Sequence, residues 1–205
     1  MNGTHNAGRV SMRLSALGAV LSLLLAGCSN NSTTSAQFTA SMTAPAPGLV
    51  KLVEMSRAGS RVVVDAVLFG PDPGLDLFAF KFGVRIGDSS LVQLAPQSSY
   101  PQNALIAGDG QTIAIDVDGT SDPSLVQVVV TKQGGGAGNG VAGASAMVIE
   151  LAFDVHGSGA TTLTLVGLGN VPPRAIDSAD AAIAAVTFDA ASAAVRGVTT
   201  GGSGY

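Results

Sequence analysis

The chain has 205 residues, with ten Lys and Arg against fourteen Asp and Glu, and a formal net charge of −4. This balance excludes a nucleic-acid surface built from clustered Lys and Arg, because phosphate backbones are bound by concentrated positive charge. A single cysteine excludes an intramolecular disulfide. The length that follows an N-terminal leader fits one domain, whose core is large enough to fold without a structural metal.

The N-terminal segment is typical of a secretory signal. Arg9 and Arg13 precede an apolar, uncharged run from Leu14 to Ala26, and small residues close it. The run is too short for the ~20 residues that a membrane-spanning helix needs. The pattern therefore predicts a cleaved signal peptide over residues 1–27 rather than a lasting transmembrane anchor.

The end of that segment reads Leu25, Ala26, Gly27, Cys28. These four residues resemble the lipobox of bacterial lipoproteins. The resemblance implies acylation of Cys28, cleavage before it, and a mature chain held in the cell envelope by lipid. Ser29, where Asp would retain the protein at the inner membrane, favours the outer membrane. The alternative is an ordinary signal peptide with a coincidental cysteine.

Residues 28–48 are predicted to hold the lipidated cysteine and a flexible linker. The stretch after Cys28 is rich in Ser, Thr, Asn, Ala and Pro, carries no charge, and shows neither helical nor strand periodicity. Such a composition is typical of a tether between an anchor and a domain.

From Leu49 to Val198, apolar residues recur at every second position between Gly, Pro and Asp breaks, which is typical of β-strands. The clearest strand runs from Asp76 to Ile86 and separates its Phe, Val and Ile side chains from Lys81 and Arg85 on the opposite face. We predict an all-β fold, an antiparallel β-sandwich of about nine strands. The other predicted strands are Leu49 to Met55, Arg61 to Phe69, Leu91 to Leu94, Gln111 to Val117, Ser124 to Lys132, Ala146 to Val155, Thr161 to Gly167, and one or two within Val186 to Val198.

Three segments are predicted to lie outside the strands. The glycine run over residues 134–143 is predicted to be a flexible loop. The Ala-rich stretch from Asp177 to Ala185 predicts one or two helical turns, capped by Asp177 or Ser178. Residues 199–205 are predicted to form a disordered tail.

Four features within residues 49–198 carry a family resemblance. They are Ala58-Gly59 between the first two strands, the run Phe80 to Ile86 leading to Leu91, the run Met147 to Val155 with Leu151-Ala152-Phe153, and Thr161 to Leu165. In this order they resemble a cohesin domain, the jelly-roll β-sandwich of cellulosome scaffolds, and the related carbohydrate-binding modules.

The resemblance implies a candidate binding face. In cohesins a dockerin partner docks on the sheet surface that includes the third strand, which in this chain would present Lys81, Arg85 and Asp88. Cohesins often carry a Tyr-Asp pair at the end of that strand, whereas here Ile86-Gly87 stands there and Asp88 follows one place later. The departure bears on dockerin recognition and not on the fold. An ordinary solvated face would carry the same two cations.

No set of residues predicts catalysis, a cofactor or a metal. His156 is the only histidine after the signal segment, and it lies in His156-Gly157-Ser158-Gly159, a composition that predicts a hairpin turn. The glycines of residues 138–143 match a dinucleotide pattern, but the acidic residue and the helix that should follow are missing. Asp116, Asp118 and Asp122 resemble a calcium loop only faintly, and a turn is the preferred interpretation.

Three non-catalytic functions remain from the sequence. The first is an envelope lipoprotein whose domain binds a protein partner. The second is polysaccharide binding, which the absence of Trp disfavours because sugar platforms use exposed aromatic rings; Tyr100 and Tyr205 are the two tyrosines. The third is a structural envelope component without a ligand.

Overall fold

The computed structural model describes residues 32–70, 72–100, 105–106, 111–141 and 143–201. The predicted signal peptide, the lipobox Leu25 to Cys28, and Tyr205 lie outside the described residues. No helix long and apolar enough to span a membrane occurs among the described residues. In this part of the chain all regular elements are strands: β1 (Thr33–Thr39), β2 (Leu49–Ala58), β3 (Arg61–Phe69), β4 (Ala79–Ile86), β5 (Val92–Leu94), β6 (Ile113–Asp118), β7 (Leu125–Lys132), β8 (Ser145–Val155), β9 (Gly159–Val166), β10 (Arg174–Ile176), β11 (Thr187–Phe188) and β12 (Ala193–Thr200).

The strands form two sheets that pack face to face. The larger sheet has the order β1-β12-β9-β4-β7-β6, and β10 pairs with the beginning of β4. The smaller sheet has the order β11-β2-β3-β8-β5. The pairings are antiparallel except for β11 with β2, which is parallel. The predicted all-β sandwich is confirmed, with more strands than the sequence indicated.

The core lies between the two sheets and is centred on β4. Phe80, Phe82 and Val84 alternate along β4 and are fully buried, as the period-two pattern predicts. Phe82 also packs against Phe188 of β11, with ring centroids 5.6 Å apart. Phe153 of β8 is buried from the opposite sheet. Aromatic side chains of this size supply much of the apolar area that stabilises a sandwich.

The prediction of a flexible linker over residues 28–48 is wrong for Thr33–Thr39. This segment forms β1, which pairs along its whole length with β12 at the edge of the larger sheet. The segment between β1 and β2 is also held to the domain, because the buried Lys51 ammonium donates to the backbone oxygens of Ser41 (2.8 Å) and Thr43. The buried Asp189 carboxylate accepts hydrogen bonds from both hydroxyls. The last strand likewise reaches Thr200, beyond the predicted boundary at residue 198.

The helical turns predicted from Asp177 to Ala185 are absent. Ile176 forms an antiparallel bridge with Ala182, so the chain doubles back instead of coiling. The Asp177 carboxylate does act as a cap, since it accepts hydrogen bonds from the backbone amides of Ala179 (2.9 Å) and Ala181 (2.8 Å). A capped turn without a following helix is the result.

Residues 138–141 of the glycine run are held against the domain and do not form the flexible loop that was predicted. Asp72 and Val141 exchange two backbone hydrogen bonds, and the Asn139 amide donates to the Leu77 carbonyl at 3.1 Å. A Cβ at Gly138 would collide with the Leu77 backbone. Glycine is required here so that two backbones can approach closely.

Among the described residues, Asp65 is a buried acidic group on the outer face of the smaller sheet. Asp65 of β3 is 7% exposed, and its Oδ1 has no hydrogen-bond partner in the structure. Burial, together with the negative charge of Glu150 directly across on β8, raises the pKa of Asp65 to about 6. The native state therefore holds a proton on Asp65 more tightly than the unfolded chain does.

We expect Gly138→Ala to destabilise the domain by about 2–4 kcal/mol, because the added methyl group meets a backbone that cannot move aside. Gly135→Ala is the matched control, since a Cβ there has no atom within 4 Å. It should change stability by less than about 0.5 kcal/mol. Urea unfolding of the two variants checks this, and equal stabilities would contradict the close approach.

We expect the stability of the protein to fall as the pH rises from about 4 to about 6, because Asp65 must then ionise in a buried site. Asp65→Asn should remove this slope and raise the free energy of unfolding at about pH 7.5 by on the order of 1–3 kcal/mol, with little difference at about pH 4. Asp116→Asn, at an exposed position on β6, is the control. A gain of equal size at both pH values would argue against a titrating Asp65.

Candidate functional site

The outer face of β4 lies at the centre of the larger sheet. Because Phe80, Phe82, Val84 and Ile86 point into the core, the alternating residues between them point outward. β4 pairs with β7 on one side and with β9 and β10 on the other. The face is therefore broad and flanked by paired strands, and it does not lie at a sheet edge.

Three apolar side chains converge over Gly83 on this face. A Cβ at Gly83 would lie 2.8 Å from Leu125 Cδ1, 3.2 Å from Leu168 Cδ2 and 3.2 Å from Val166 Cγ2. Leu125, Val166 and Leu168 are each half-buried on the outer face of the larger sheet. We call these three residues the apolar patch.

Cations surround the apolar patch. Lys81 of β4 is directly opposite Arg174 of the paired strand β10. Arg85 of β4 is directly opposite Leu125 of the paired strand β7. The Ser124 hydroxyl and backbone amide, with a contribution from the Arg85 guanidinium, hold the pKa of Asp122 below its ordinary value. We call Lys81, Arg85 and Arg174 the cationic rim.

Of the three residues predicted to form the binding face, the structure brings two together. Lys81 and Arg85 lie on the same outer face, four residues apart along β4. Asp88 lies in the turn that follows, where its carboxylate accepts hydrogen bonds from the Ser90 amide (2.9 Å) and hydroxyl (2.6 Å). These hydrogen bonds lower the pKa of Asp88. Its carboxylate stabilises the turn after β4.

Two depressions flank Lys81 on this face. The larger has a volume of about 410 Å³, and its lining includes Ala79, Val129, Ile176, Asp177 and Asp180. The smaller has a volume of about 120 Å³ and is lined by Lys81, Leu168, Val171, Pro172 and Arg174.

Sequence reasoning missed Leu125, Leu168 and Arg174. The signal for Leu125 was present, because the alternation along β7 places it on the outward side opposite the buried Val126 and Val128. Leu168 and Arg174 carried no comparable pattern. They belong to a connection whose approach to β4 depends on long-range pairing.

Two of the three carboxylates considered for calcium, Asp118 and Asp122, accept hydrogen bonds within turns, as the preferred interpretation expects, whereas Asp116 lies exposed on β6. The Asp118 carboxylate accepts hydrogen bonds from the Ser121 hydroxyl (2.5 Å) and the Thr120 backbone amide (2.8 Å). These hydrogen bonds lower the pKa of Asp118 strongly, and the bond from the Ser121 hydroxyl contributes most. Asp122 accepts from Ser124 in the same way. Among the described residues no group of three or more His, Cys, Asp or Glu side chains could hold a metal ion.

His156 and the dinucleotide-like glycines also have structural roles. His156 is exposed in the turn after β8, and its amide donates to the Leu91 carbonyl at 2.7 Å. That turn carries the chain from the smaller sheet to β9 in the larger one, so it is not the hairpin that the sequence suggested. Gly138 and Gly140 pack against the backbone of Leu77 and of Asp72 and Pro73, respectively.

No aromatic ring among the described residues forms an open platform for sugars. Tyr100 is half-buried and packs against the core, and burial raises the pKa of its hydroxyl. Every described Phe is at least partly buried.

The arrangement is similar to solved cohesin structures. A type II cohesin dyad from the adaptor scaffoldin ScaA of Acetivibrio cellulolyticus matches with a TM-score of 0.51 and 10% identity, over 73% of this chain and 48% of that chain. This chain thus spans about half the length of the dyad. A type II cohesin domain from the cellulosome of the same organism matches with a TM-score of 0.49 and 9% identity, over 70% of this chain and 92% of that one.

A type II cohesin in complex with X-dockerin, also from A. cellulolyticus, matches with a TM-score of 0.49 and 7% identity, over 75% of this chain and 94% of that one. No protein-family model and no curated protein matches the sequence. The fold is that of a cohesin β-sandwich.

Proposed function

We propose that this chain is a non-catalytic binding module that engages a protein partner through the outer face of its larger sheet. The observation that supports it is the apolar patch, Leu125, Val166 and Leu168, half-buried at the centre of the outer face of a broad sheet and bordered by the cationic rim. Specific protein interfaces combine a desolvated apolar centre with a polar border. An apolar patch rimmed by polar residues marks an interaction site.

The cohesin fold supports a protein as the partner, and a dockerin-type module is the proposed class. The chemistry at the end of β4 favours a partner with different contacts there. A Cβ at Gly87 would lie 2.8 Å from the Thr162 hydroxyl and 3.0 Å from the Thr161 hydroxyl. Ile86-Gly87 stands where cohesins often carry a Tyr-Asp pair. At position 87, the two threonine hydroxyls occupy the space that a side chain would need.

A binding role without catalysis also agrees with how the polar groups are used. Asp88, Asp118, Asp122 and Asp177 accept hydrogen bonds from their own turns, so their lone pairs stabilise loops. General acid and base chemistry needs groups that converge on a substrate with tuned pKa values. The candidate face presents instead a rim of cations around apolar side chains.

We further propose that acylation of Cys28 anchors the module in the cell envelope, with the outer membrane favoured by Ser29. Two or more acyl chains give durable membrane attachment, because each buried methylene contributes ~0.8 kcal/mol. Since β1 begins at Thr33, four residues lie between it and Cys28, and the five steps along the chain span about 17 Å at full extension. An anchored domain would sit close to the lipid headgroups.

We expect Leu125→Asp and the double variant Lys81→Glu/Arg85→Glu to weaken partner binding by at least about tenfold, because each disrupts the centre or border of the face. A photo-crosslinking residue at position 129 of the full chain, in its native host, would first identify the partner. Affinities for the purified partner would then be measured. Arg196→Glu, on β12 of the same sheet, is the matched control. Unchanged affinity in all variants would overturn the assigned face.

We expect Cys28→Ser to release the protein from membranes and to abolish incorporation of labelled palmitate, because Cys28 is the sole cysteine. Fractionation of cells expressing the two forms checks this. Retention of the serine variant in the membrane pellet at the level of the native protein would contradict the lipid anchor.

A further inference from the structure

Two like charges face each other across neighbouring strands on the candidate face. Lys81 of β4 and Arg174 of β10 are directly opposed antiparallel partners. Like charges in this position repel each other and destabilise the pairing. Their juxtaposition therefore needs a compensating gain.

Neither cation is neutralised within the described part of the chain. The ion pairs found there join Arg57 to Glu54 and Arg61 to Asp154, and neither involves Lys81 or Arg174. Asp177 and Asp180 line the larger depression together with Lys81, but neither is ion-paired with Lys81 in the described part of the chain, and the Asp177 carboxylate accepts from two backbone amides.

The Arg174 guanidinium also has an unused donor. Its Nε is inaccessible to solvent and has no hydrogen-bond partner in the structure. A buried donor without an acceptor is costly, because it has lost its hydrogen bond to water. The two terminal nitrogens of a guanidinium form a planar pair of donors that matches the two oxygens of a carboxylate.

An apolar wall stands beside this donor. Leu168, Val171 and Pro172 line the depression of about 120 Å³ between Lys81 and Arg174, and Val171 is 44% exposed. The wall is held in place, since the Val171 amide donates to the Leu168 carbonyl at 3.1 Å. A Cβ at Gly167 would collide with the Val171 carbonyl, so the segment is pressed against its neighbour.

We propose that Lys81 and Arg174 form a carboxylate socket that receives an Asp or Glu side chain of the protein partner. This proposal rests on the proposed function, because the carboxylate comes from the protein partner. It adds that the partner carries an acidic side chain at this position of the interface. A carboxylate placed there cancels the repulsion between the two cations, accepts hydrogen bonds from the terminal nitrogens of Arg174, and places negative charge beside the buried Nε. The methylene stem of the acidic side chain packs on Leu168 and Pro172.

The test uses the full chain in detergent with ¹⁵N-labelled arginine, which gives one Nε–Hε resonance for each of at most seven arginines. The probe is N-acetyl-glutamate α-methylamide, which offers a side-chain carboxylate alone, and its glutamine analogue is the neutral control. We expect a saturable shift of the Arg174 resonance with the glutamate probe. The Arg196 resonance should not move, and the glutamine analogue should have no effect.

Two variants sharpen the test. Lys81→Gln should weaken probe binding at least about fivefold, because one of two cations is lost. Arg174→Lys keeps the charge but lacks the planar donor edge, and it should weaken binding by a similar factor when followed through the Leu168 methyl resonances. Circular dichroism confirms that both variants are folded.

An Arg174 resonance that does not move, that moves equally with the glutamine analogue, or that responds more strongly to inorganic phosphate would overturn the carboxylate socket. These outcomes are separate from a failure of the proposed function. If Leu125→Asp abolishes partner binding while Arg174 is silent to the probe, the binding face stands and the socket falls. If Leu125→Asp leaves partner binding unchanged, the binding face falls whatever Arg174 does.

Discussion

The burial of alternate side chains along β4 is the constraint on which the rest of the molecule depends. Phe80 and Phe82 are fully buried between the sheets, and Phe82 is packed on Phe188. Because strand side chains alternate, fixing these rings in the core fixes Lys81, Gly83 and Arg85 on the outside. A shift of one residue in this strand would place charge in the core, so the position of the candidate face follows directly from core packing.

The sequence predicted those strands in which apolar and polar residues alternate within the strand itself. Strands β2, β3, β7 and β8 show clear alternation, and the structure places them within a few residues of the expected bounds. The sequence did not indicate β1, because this polar segment shows no alternation and because its partner strand, β12, lies at the other end of the chain. The helix expected from Asp177 failed because pairing of Ile176 with Ala182 outweighed the helix propensity of alanine.

The candidate site divides in the same way. Lys81 and Arg85 could be placed from the period of one strand, since their neighbours are bulky and apolar. Arg174 could not, because it reaches β4 through a three-residue strand that exists only in the folded sheet. Gly83 gave no hint of its role either. Its lack of a side chain matters only once Leu125, Val166 and Leu168 meet above it. Contacts of this kind are properties of the assembled sheet.

The pairing of β1 with β12 has a mechanical consequence. Seven residue pairs join the two strands in antiparallel register, beginning at Thr33 opposite Thr200. A load that pulls on the N-terminal side of Thr33 while a bound partner holds the middle of the larger sheet acts along the strand axis. The seven pairs then resist together in shear instead of opening one after another. An edge strand in this position would let the domain carry tension between the proposed lipid anchor and the proposed partner, without β1 separating from β12 one pair at a time from Thr33.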